Sequence, residues 1–394
     1  MKHVLALSTL YPNPANPRFG TFVARSLEGL AKRGEWRVTV VNPIGLPPVV
    51  LGRYRALAEL PMLAEERGVA VHRPRFTLIP KVGARRNASA IAKAVLPAIE
   101  AIHAEHPIDL IDAEFFFPDG PAAAMLARHL RLPLSIKARG SDIALWGEHE
   151  FAREQMLDAA RQAAGLLAVS EALKRQMVAL GMPDDKIAVH YTGLDRDRFR
   201  PLDHMQLRAQ LGRQLGFEMP ENAPLLACVG ALIERKGQDR AIAALPHIPG
   251  ARLVLVGKGE DEDRLRSLAR STGMEGRVHF AGSVDHDFMP LILSAADVMV
   301  LPTVSEGLAN AWVESLACGT PVVTTDVGGA RELITGETAG RLLEQRSPEA
   351  VAEAVNAVLN NPPKPLEVAA LVESFSWSNH AAELAARFEQ ALSR

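Results

Sequence analysis

The chain has 394 residues, too many for one ordinary hydrophobic core and well suited to two domains. Its composition, 48% hydrophobic and 23% charged, is that of a soluble globular protein, with Gly and Pro scattered and not gathered in blocks. A formal charge of -2 gives no basic bias toward nucleic acid, and two cysteines, Cys228 and Cys318, make neither a disulfide framework nor a zinc site and read as buried free thiols.

In chain order, the first predicted element is a buried strand over 3–9. The apolar start MKHVLALSTLYPNP is too short to span a membrane and carries no small-residue cleavage pattern. Apolar runs follow at 37–42, 108–112, 132–138, 165–170 and 187–191, and again at 225–232, 252–257, 278–282, 298–303 and 321–326. Short continuous runs of this kind mark strands buried on both faces, and the helical patterns between them fit crossovers in parallel sheets. The predicted class is therefore α/β, with the alternation occurring twice. Between about 195 and 223 it breaks, where DRDRFRPLDHMQ and LGFEMPENAP bring charge and proline. A last helix is predicted over roughly 377–392, after the NNPPKP stretch. Its apolar stripe of Ala382, Leu384, Ala385, Phe388 and Leu392 could pack on either domain. No run approaches 18 apolar residues, so a cytoplasmic location is expected unless the chain binds a membrane surface peripherally.

The most informative stretch is 303–332, TVSEGLANAWVESLACGTPVVTTDVGGARE. Glu306 and Glu314 stand eight apart, and SEGLAN is read as a loop feeding a helix that runs to about Ala317. Eight helical residues rise about 12 Å and turn about 80°, so carboxylates so spaced reach different parts of an extended ligand. Carboxylates accept strongly from hydroxyls, which makes sugar rings natural partners, and a helix start offers free N–H groups to phosphate. The plain alternative is that Glu306 caps a helix and Glu314 lies on a solvated face. Against it, Glu314 falls between Val313 and Leu316 in the apolar run AWVESLA, where an unpartnered carboxylate costs stability. Glu306 and the turn Gly328-Gly329 both follow the carboxyl ends of predicted strands, where open parallel sheets bind ligands. Arg235-Lys236 follows another, and a departing nucleoside diphosphate needs cations or N–H dipoles because charge builds on it in the transition state.

With these residues in place, the stretch resembles the E-x7-E motif of retaining glycosyltransferases of family 4. The resemblance runs over nearly the whole chain. FGTFVARSLEGLAKRG (19–34) is similar to that family's first glycine loop and helix. IAVHYTGLDRDRF (187–199) is similar to the stretch that ends its first domain, and VGALIERKGQDRAIAAL (229–245) to its donor-phosphate loop and helix. The resemblance implies a GT-B fold, two Rossmann-like domains with parallel sheets facing each other across a cleft. The N-terminal, acceptor-side domain would span 1–200 and take back the final helix 376–394, and the nucleotide-sugar domain would span 201–375.

Site roles follow from the same resemblance. Glu306 should contact donor-sugar hydroxyls, helped by the backbone of Gly307, Leu308, Ala309 and Asn310. Glu314 should accept from the ribose hydroxyls, and Lys236 and Arg235 should neutralise the diphosphate. Gly20 should let the backbone approach the reacting centre, and 280–283, with Gly282, should border the nucleobase. Two positions depart from the family pattern: Ala231 stands where many members have arginine, and Arg139 where many have histidine. Arginine does not deprotonate, so Arg139 is no general base; it could hold a donor phosphate or an anionic acceptor. Glu306, Lys236 and Arg139 are the catalytic candidates. Arg139, Ser141 and Asp142 are the acceptor-side candidates, with Asp142 either a helix cap or an acceptor contact.

Competing motifs are weaker. Gly257-Lys258-Gly259 opens like a dinucleotide fingerprint but has Glu262 in the third glycine position. The D-x-D triplets Asp195/Asp197, Asp261/Asp263 and Asp285/Asp287 read as caps before helices, so no metal and no cofactor are expected. Arg73, Arg75, Lys81, Arg85, Arg86 and Lys93 interleave with Phe76, Leu78, Ile79 and Val82 without an acid between 73 and 93. That is a solvated loop, or a patch for anionic lipid or a lipid-linked acceptor phosphate.

The resemblance implies transfer of a hexose-type sugar from a nucleoside-diphosphate sugar to a carbohydrate or lipid-linked acceptor. Reaction would occur on one face through an oxocarbenium-like state, retaining anomeric configuration. The start STLYPNPANPRFGTFV is similar to bacterial enzymes that build surface polysaccharides such as teichuronic acid or exopolysaccharide. Rivals are a nucleotide-sugar epimerase on the same fold and a non-catalytic sugar-nucleotide binder, the latter kept open by Ala231 and Arg139.

Overall fold

The computed structural model describes residues 1–52, 54–79, 83–220 and 222–393, with the backbone alone for 204–206. The chain divides into two compact units, Met1–Gly193 with Trp377–Arg394, and Leu194–Ser376.

The first unit is built on an eight-stranded sheet. Its spatial order is Ile187–Val189, Gly165–Ala168, Leu134–Ala138, Leu110–Ala113, Lys2–Leu7, Trp36–Val41, Val69–His72 and Leu63–Glu66. Neighbours are parallel except the last pair, which is antiparallel. The central strands are apolar because both faces are covered. Helices Thr21–Lys32 and Trp377–Leu392 lie on one side, with Leu27, Leu384 and Phe388 fully buried among Val4, Val38 and Val40. Helices Ala84–Glu105, Asp119–Leu130 and Glu150–Gln162 supply Ile91, Val95, Ala123 and Met156 to the other. The final helix turns a slightly different stripe inward than predicted: Ala381 and His380 are buried with Leu384, Ala385 and Phe388, while Ala382 is exposed. Phe388 meets Trp36 edge-on, ring centroids 5.5 Å apart.

The second unit carries six parallel strands in the order Val278–Gly282, Arg252–Val256, Leu225–Val229, Val298–Leu301, Val322–Thr325 and Gly340–Leu343. This is the doubly wound arrangement, with strand order reversing between Leu225–Val229 and Val298–Leu301. Ligands of such sheets sit outside the carboxyl ends of the strands at that reversal. The first unit has the corresponding reversal between Lys2–Leu7 and Leu110–Ala113.

Five strands escaped the sequence pattern: Ile44–Leu46, Leu63–Glu66, Val69–His72, Arg75–Thr77 and Gly340–Leu343. Each is only three or four residues long, and none forms a continuous buried apolar run. Both cysteines are buried free thiols, pushed up to about 12 by burial. Among the described residues no helix is long and apolar enough to cross a membrane.

Candidate active site

The residues of the second unit meet at its strand-order reversal. After Leu225–Val229 the chain passes through a tight turn at Glu234–Lys236 into helix Gln238–Ala244. After Val298–Leu301 it runs through 302–309 into helix Asn310–Ala317. The two loops are stitched by backbone. Val304 N–H donates to the Arg235 carbonyl at 2.8 Å, and the Thr303 hydroxyl to the same oxygen at 3.1 Å. Arg235 donates to the Ser305 carbonyl. Arg346 clamps both loops, reaching the Pro302 carbonyl at 2.5 Å and the Glu234 carbonyl at 3.2 Å. Gly237 has φ 75, and a Cβ there would stand 2.2 Å from the Pro302 carbonyl oxygen, so only glycine lets the loops approach this closely.

That stitching places Lys236 on Glu306. Lys236 Nζ donates to Glu306 Oε1 at 2.5 Å, the Thr303 hydroxyl, shared with the Arg235 carbonyl, stands 3.0 Å from the same oxygen, and Arg235 stands 3.4 Å away. Lys236 and Glu306 are largely covered, and Arg235 is exposed. The cluster of two cations and one carboxylate keeps one positive charge in excess. The Gly328-Gly329 turn has a structural duty here. Gly329 N–H donates to the Gly307 carbonyl at 2.7 Å, and a Cβ on Gly328 would come within 1.9 Å of the Glu306 carbonyl oxygen.

Glu306 lies in the loop, not on the helix, so the helical spacing set out for the glutamate pair does not describe it. The helix begins only at Asn310 because 302–309 is held as an irregular loop by backbone bonds to its neighbours. Ala309 precedes it as a cap without a side-chain acceptor, which leaves first-turn N–H groups available to an anion. Leu308 is half-buried and Asn310 exposed. Glu314, one turn on, is partly covered, and its carboxylate takes no hydrogen bond or ion pair among the described residues. Burial pushes it up to about 7. Gly282 closes its strand at φ 65, its carbonyl accepting from Gly257 N–H at 2.8 Å. Exposed Lys258 follows the neighbouring strand, a cation that the failed fingerprint around it had hidden.

In the first unit, Gly20 precedes helix Thr21–Lys32 at φ 67. A Cβ there would stand 1.7 Å from the Leu10 carbonyl oxygen, so local packing alone requires glycine. Arg139 follows strand Leu134–Ala138 and is not a free cation. Its Nη2 donates to the Glu114 carboxylate and its Nε to the Glu114 carbonyl at 3.2 Å, with the Phe22 ring 4.9 Å from the guanidinium carbon. Asp142 is spent on its own loop: Oδ1 accepts from the N–H groups of Arg139, Gly140 and Ile143, and Oδ2 from Phe116 at 2.8 Å. Ser141 is exposed. Glu114 was missed. Its signal was an acid directly after the buried run at 110–113.

Beneath that pair lies a buried polar layer that sequence periodicity assigned simply to strands. Lys137 Nζ is 2.8 Å from His190 Nδ1, whose other nitrogen is 3.0 Å from the His380 carbonyl. His380 Nε2 is 2.7 Å from the Ser26 hydroxyl. Burial pushes Lys137 down to about 7 and Asp112 up to about 8.

The basic run after Arg73 is not one surface. Arg73 is buried on Glu66, Arg75 bonds the Leu60 carbonyl at 3.1 Å, and Phe76 joins the core. Ile79, Arg85, Arg86 and Lys93 are exposed. Lys81 and Val82 lie outside the described residues. Of the aspartate triplets, Asp195 and Asp285 accept backbone N–H groups from Arg198 and Asp287 at 3.3 and 3.0 Å, while Asp261 pairs with Arg264 without capping. Among the described residues no cluster of three or more His, Cys, Asp or Glu is arranged to hold a metal ion.

Two family models match the chain, Glycosyltransferase Family 4 over residues 19–198 and Glycosyl transferases group 1 over 216–370. The chain belongs to this family of glycosyltransferases. It is 29% identical over 361 residues to the Bacillus subtilis protein named as a teichuronic acid biosynthesis glycosyltransferase, TuaC, covering 89% of this chain and 88% of that one. It is 34% identical over 209 residues to a Mycobacterium tuberculosis GDP-mannose-dependent phosphatidylinositol monomannoside mannosyltransferase, covering 49% and 53% of the two chains. Among solved structures, sucrose-phosphate synthase from Thermosynechococcus elongatus superposes with a TM-score of 0.79 at 20% identity over 100% of both chains. Anabaena HepE in complex with UDP-glucose gives 0.74 at 20% identity, over 99% of this chain and 100% of that one. The fold is GT-B.

Proposed function

We propose that the chain transfers a hexose from a nucleoside-diphosphate sugar to an acceptor hydroxyl with retention of configuration. The observation that carries this is the Lys236–Glu306 pair at the strand-order reversal of the second unit, beside the unpartnered carboxylate of Glu314. Lys236, with three N–H donors, can keep Glu306 and still donate to a phosphate. Arg235 and the uncapped start of helix Asn310–Ala317 add the charge and dipoles that a leaving diphosphate needs. Glu306, held by Lys236 and Thr303 through one oxygen, offers its other to sugar hydroxyls. Glu314 accepts from the ribose. The diphosphate is neutralised by these cations and dipoles without a metal ion. The departing phosphate takes the acceptor proton, so the protein supplies placement and charge, not a general base.

The names of the relatives support a carbohydrate or lipid-linked acceptor in cell-envelope synthesis. Exposed Val49, Leu51, Met62, Leu63 and Ile79 in the first unit, with exposed Arg85, Arg86 and Lys93, support contact with an anionic membrane face. Flotation with phosphatidylglycerol vesicles tests that contact, and recovery equal to that with neutral vesicles rejects it.

The function itself is tested by thermal stabilisation with UDP, GDP, ADP and dTDP and their sugars. A ligand at about 100 times its Kd adds about 2.7 kcal/mol. One base should stabilise the protein, and Lys236→Ala should cut the response to about half or less. If no nucleotide does so, the donor site is misplaced.

A further inference from the structure

A cavity of about 400 Å³ lies wholly in the first unit, and none of its lining residues is among those assigned to transfer. Helix Thr21–Lys32 connects the parallel strands Lys2–Leu7 and Trp36–Val41, so it runs back from their carboxyl ends toward their amino ends. The cavity lies along the later part of that helix. Arg25, Glu28, Gly29 and Lys32 share one face there at helical spacing, and Arg33 caps the end. Arg67, in the turn between strands Leu63–Glu66 and Val69–His72, lines another side, and Trp377 and Ala381 of the last helix line a third. Gly29 meets the cavity with bare backbone. Its φ is not left-handed, and a Cβ there would meet only the Ala381 Cβ at 3.5 Å and the Trp377 carbonyl oxygen at 3.8 Å, which are ordinary contacts. Glycine inside a helix is destabilising relative to alanine, and packing does not demand it here; its missing side chain leaves space.

The charges in the lining are unequal. Arg25, Lys32, Arg33 and Arg67 bring four cations and Glu28 one carboxylate, and Arg33 also meets Glu35 at 3.2 Å, so four cations stand against two carboxylates. Lys32 makes no ion pair among the described residues. The Glu28 side chain is 9% exposed. One of its oxygens accepts from Arg67 at 3.3 Å, and the other takes no hydrogen bond among the described residues. A phosphate monoester carries about −1.5 to −2 charges at pH 7 and three acceptor oxygens, which matches the excess. The open oxygen of Glu28 suits a ring hydroxyl, and half-buried Trp377 supplies an aromatic wall for a compact ring. The lining holds no exposed apolar side chain of the kind that enters a bilayer, which argues against a lipid headgroup. We propose that this cavity binds a soluble sugar phosphate, with its cations on the phosphate and Glu28 on a ring hydroxyl. The cations assigned to the donor diphosphate, Arg235 and Lys236, lie in the second unit, so the two readings stand or fall separately.

Calorimetric titration of the full chain with glucose 1-phosphate, glucose 6-phosphate and mannose 6-phosphate, with glucose as the neutral control, tests the site. At least one sugar phosphate should bind about tenfold more tightly than glucose, and added NaCl should weaken it. Lys32→Gln/Arg67→Gln removes two exposed cations without touching the core and should lower that affinity about tenfold or more. Gly29→Leu fills the space beside Ala381 and should weaken binding with every charge intact; if it folds poorly, the charge variant still decides. Lys236→Ala should leave the affinity within about twofold. The proposal is overturned if no sugar phosphate binds more tightly than glucose. It is equally overturned if Lys32→Gln/Arg67→Gln leaves binding unchanged, or if Lys236→Ala removes it, since the phosphate would then occupy the donor site. Flotation with phosphatidylglycerol vesicles separates the lipid source. Flotation lost in Lys32→Gln/Arg67→Gln, with no sugar phosphate bound by the wild-type chain, would make the cavity a headgroup site and reject the soluble ligand.

Discussion

Glu314 sits where function and stability oppose each other, and the conflict is measurable. Burial raises its carboxyl from 4.5 to about 7, and no protein group compensates the charge. A group whose folded pKa is raised stabilises the fold below its unfolded pKa and loses that contribution as pH rises through the folded value. The ligand-free protein should therefore lose stability between about pH 4.5 and pH 8. The loss should reach about 3 kcal/mol, since each pH unit between the unfolded and folded pKa is worth about 1.4 kcal/mol. Glu314→Gln removes the ionisation but keeps the shape. Any fixed cost of burying an amide cancels when the variant is compared with wild type at two pH values. The stability difference, variant minus wild type, should grow by about 2–3 kcal/mol from pH 4.5 to pH 8, about 5–10 °C in the midpoint of the second unit. Thermal and urea unfolding at the two pH values, without nucleotide, measure this. The same variant should lose most of the nucleoside-diphosphate stabilisation at pH 8, where wild-type Glu314 is ionised and accepts best. A difference that does not change with pH would refute the reasoning, because it would mean that the carboxylate is solvated or paired. A variant that keeps its nucleotide response would place the ribose elsewhere.

Other outcomes follow from the same geometry. Lys236→Ala removes a charge-assisted donor worth about 1.5–3 kcal/mol, so affinity for the nucleoside diphosphate should fall about 10- to 100-fold by calorimetry. Gly237→Ala forces a Cβ against the Pro302 carbonyl in a left-handed backbone, and chemical unfolding should show a loss of at least about 1–3 kcal/mol with donor binding weakened alongside. Transfer should proceed unchanged after EDTA treatment and dialysis, because Arg235, Lys236 and the start of helix Asn310–Ala317 supply the neutralising charge; a rate restored only by added Mg²⁺ would contradict this.

Much of the fold was legible because strands buried on both faces must be continuously apolar. The runs at 3–9, 225–232 and 298–303 announced themselves on that ground alone. Ile44–Leu46, Leu63–Glu66 and Val69–His72 did not, since strands of three or four residues that are only partly buried carry no continuous apolar run to read. In the candidate site, Glu306, Glu314 and Lys236 were legible as charged residues placed just after buried strands or inside an apolar helix. Glu114, Lys137, His190 and His380 were not. They are scattered over the chain from residue 114 to residue 380, and only pairing of the strands and packing of the last helix brings them together.

What the sequence by itself determined is the alternation that makes two doubly wound sheets, and the residue types left at the carboxyl ends of their strands, since hydrophobic periodicity and turn chemistry are local properties. The tertiary structure decided which of those charges are free. It closed Lys236 onto Glu306, left Glu314 without a partner, spent Asp142 on backbone and paired Arg139 with Glu114. The physical reason is that a charge's availability depends on what stands within a few ångströms of it, and those neighbours come from strands and loops far apart in the chain.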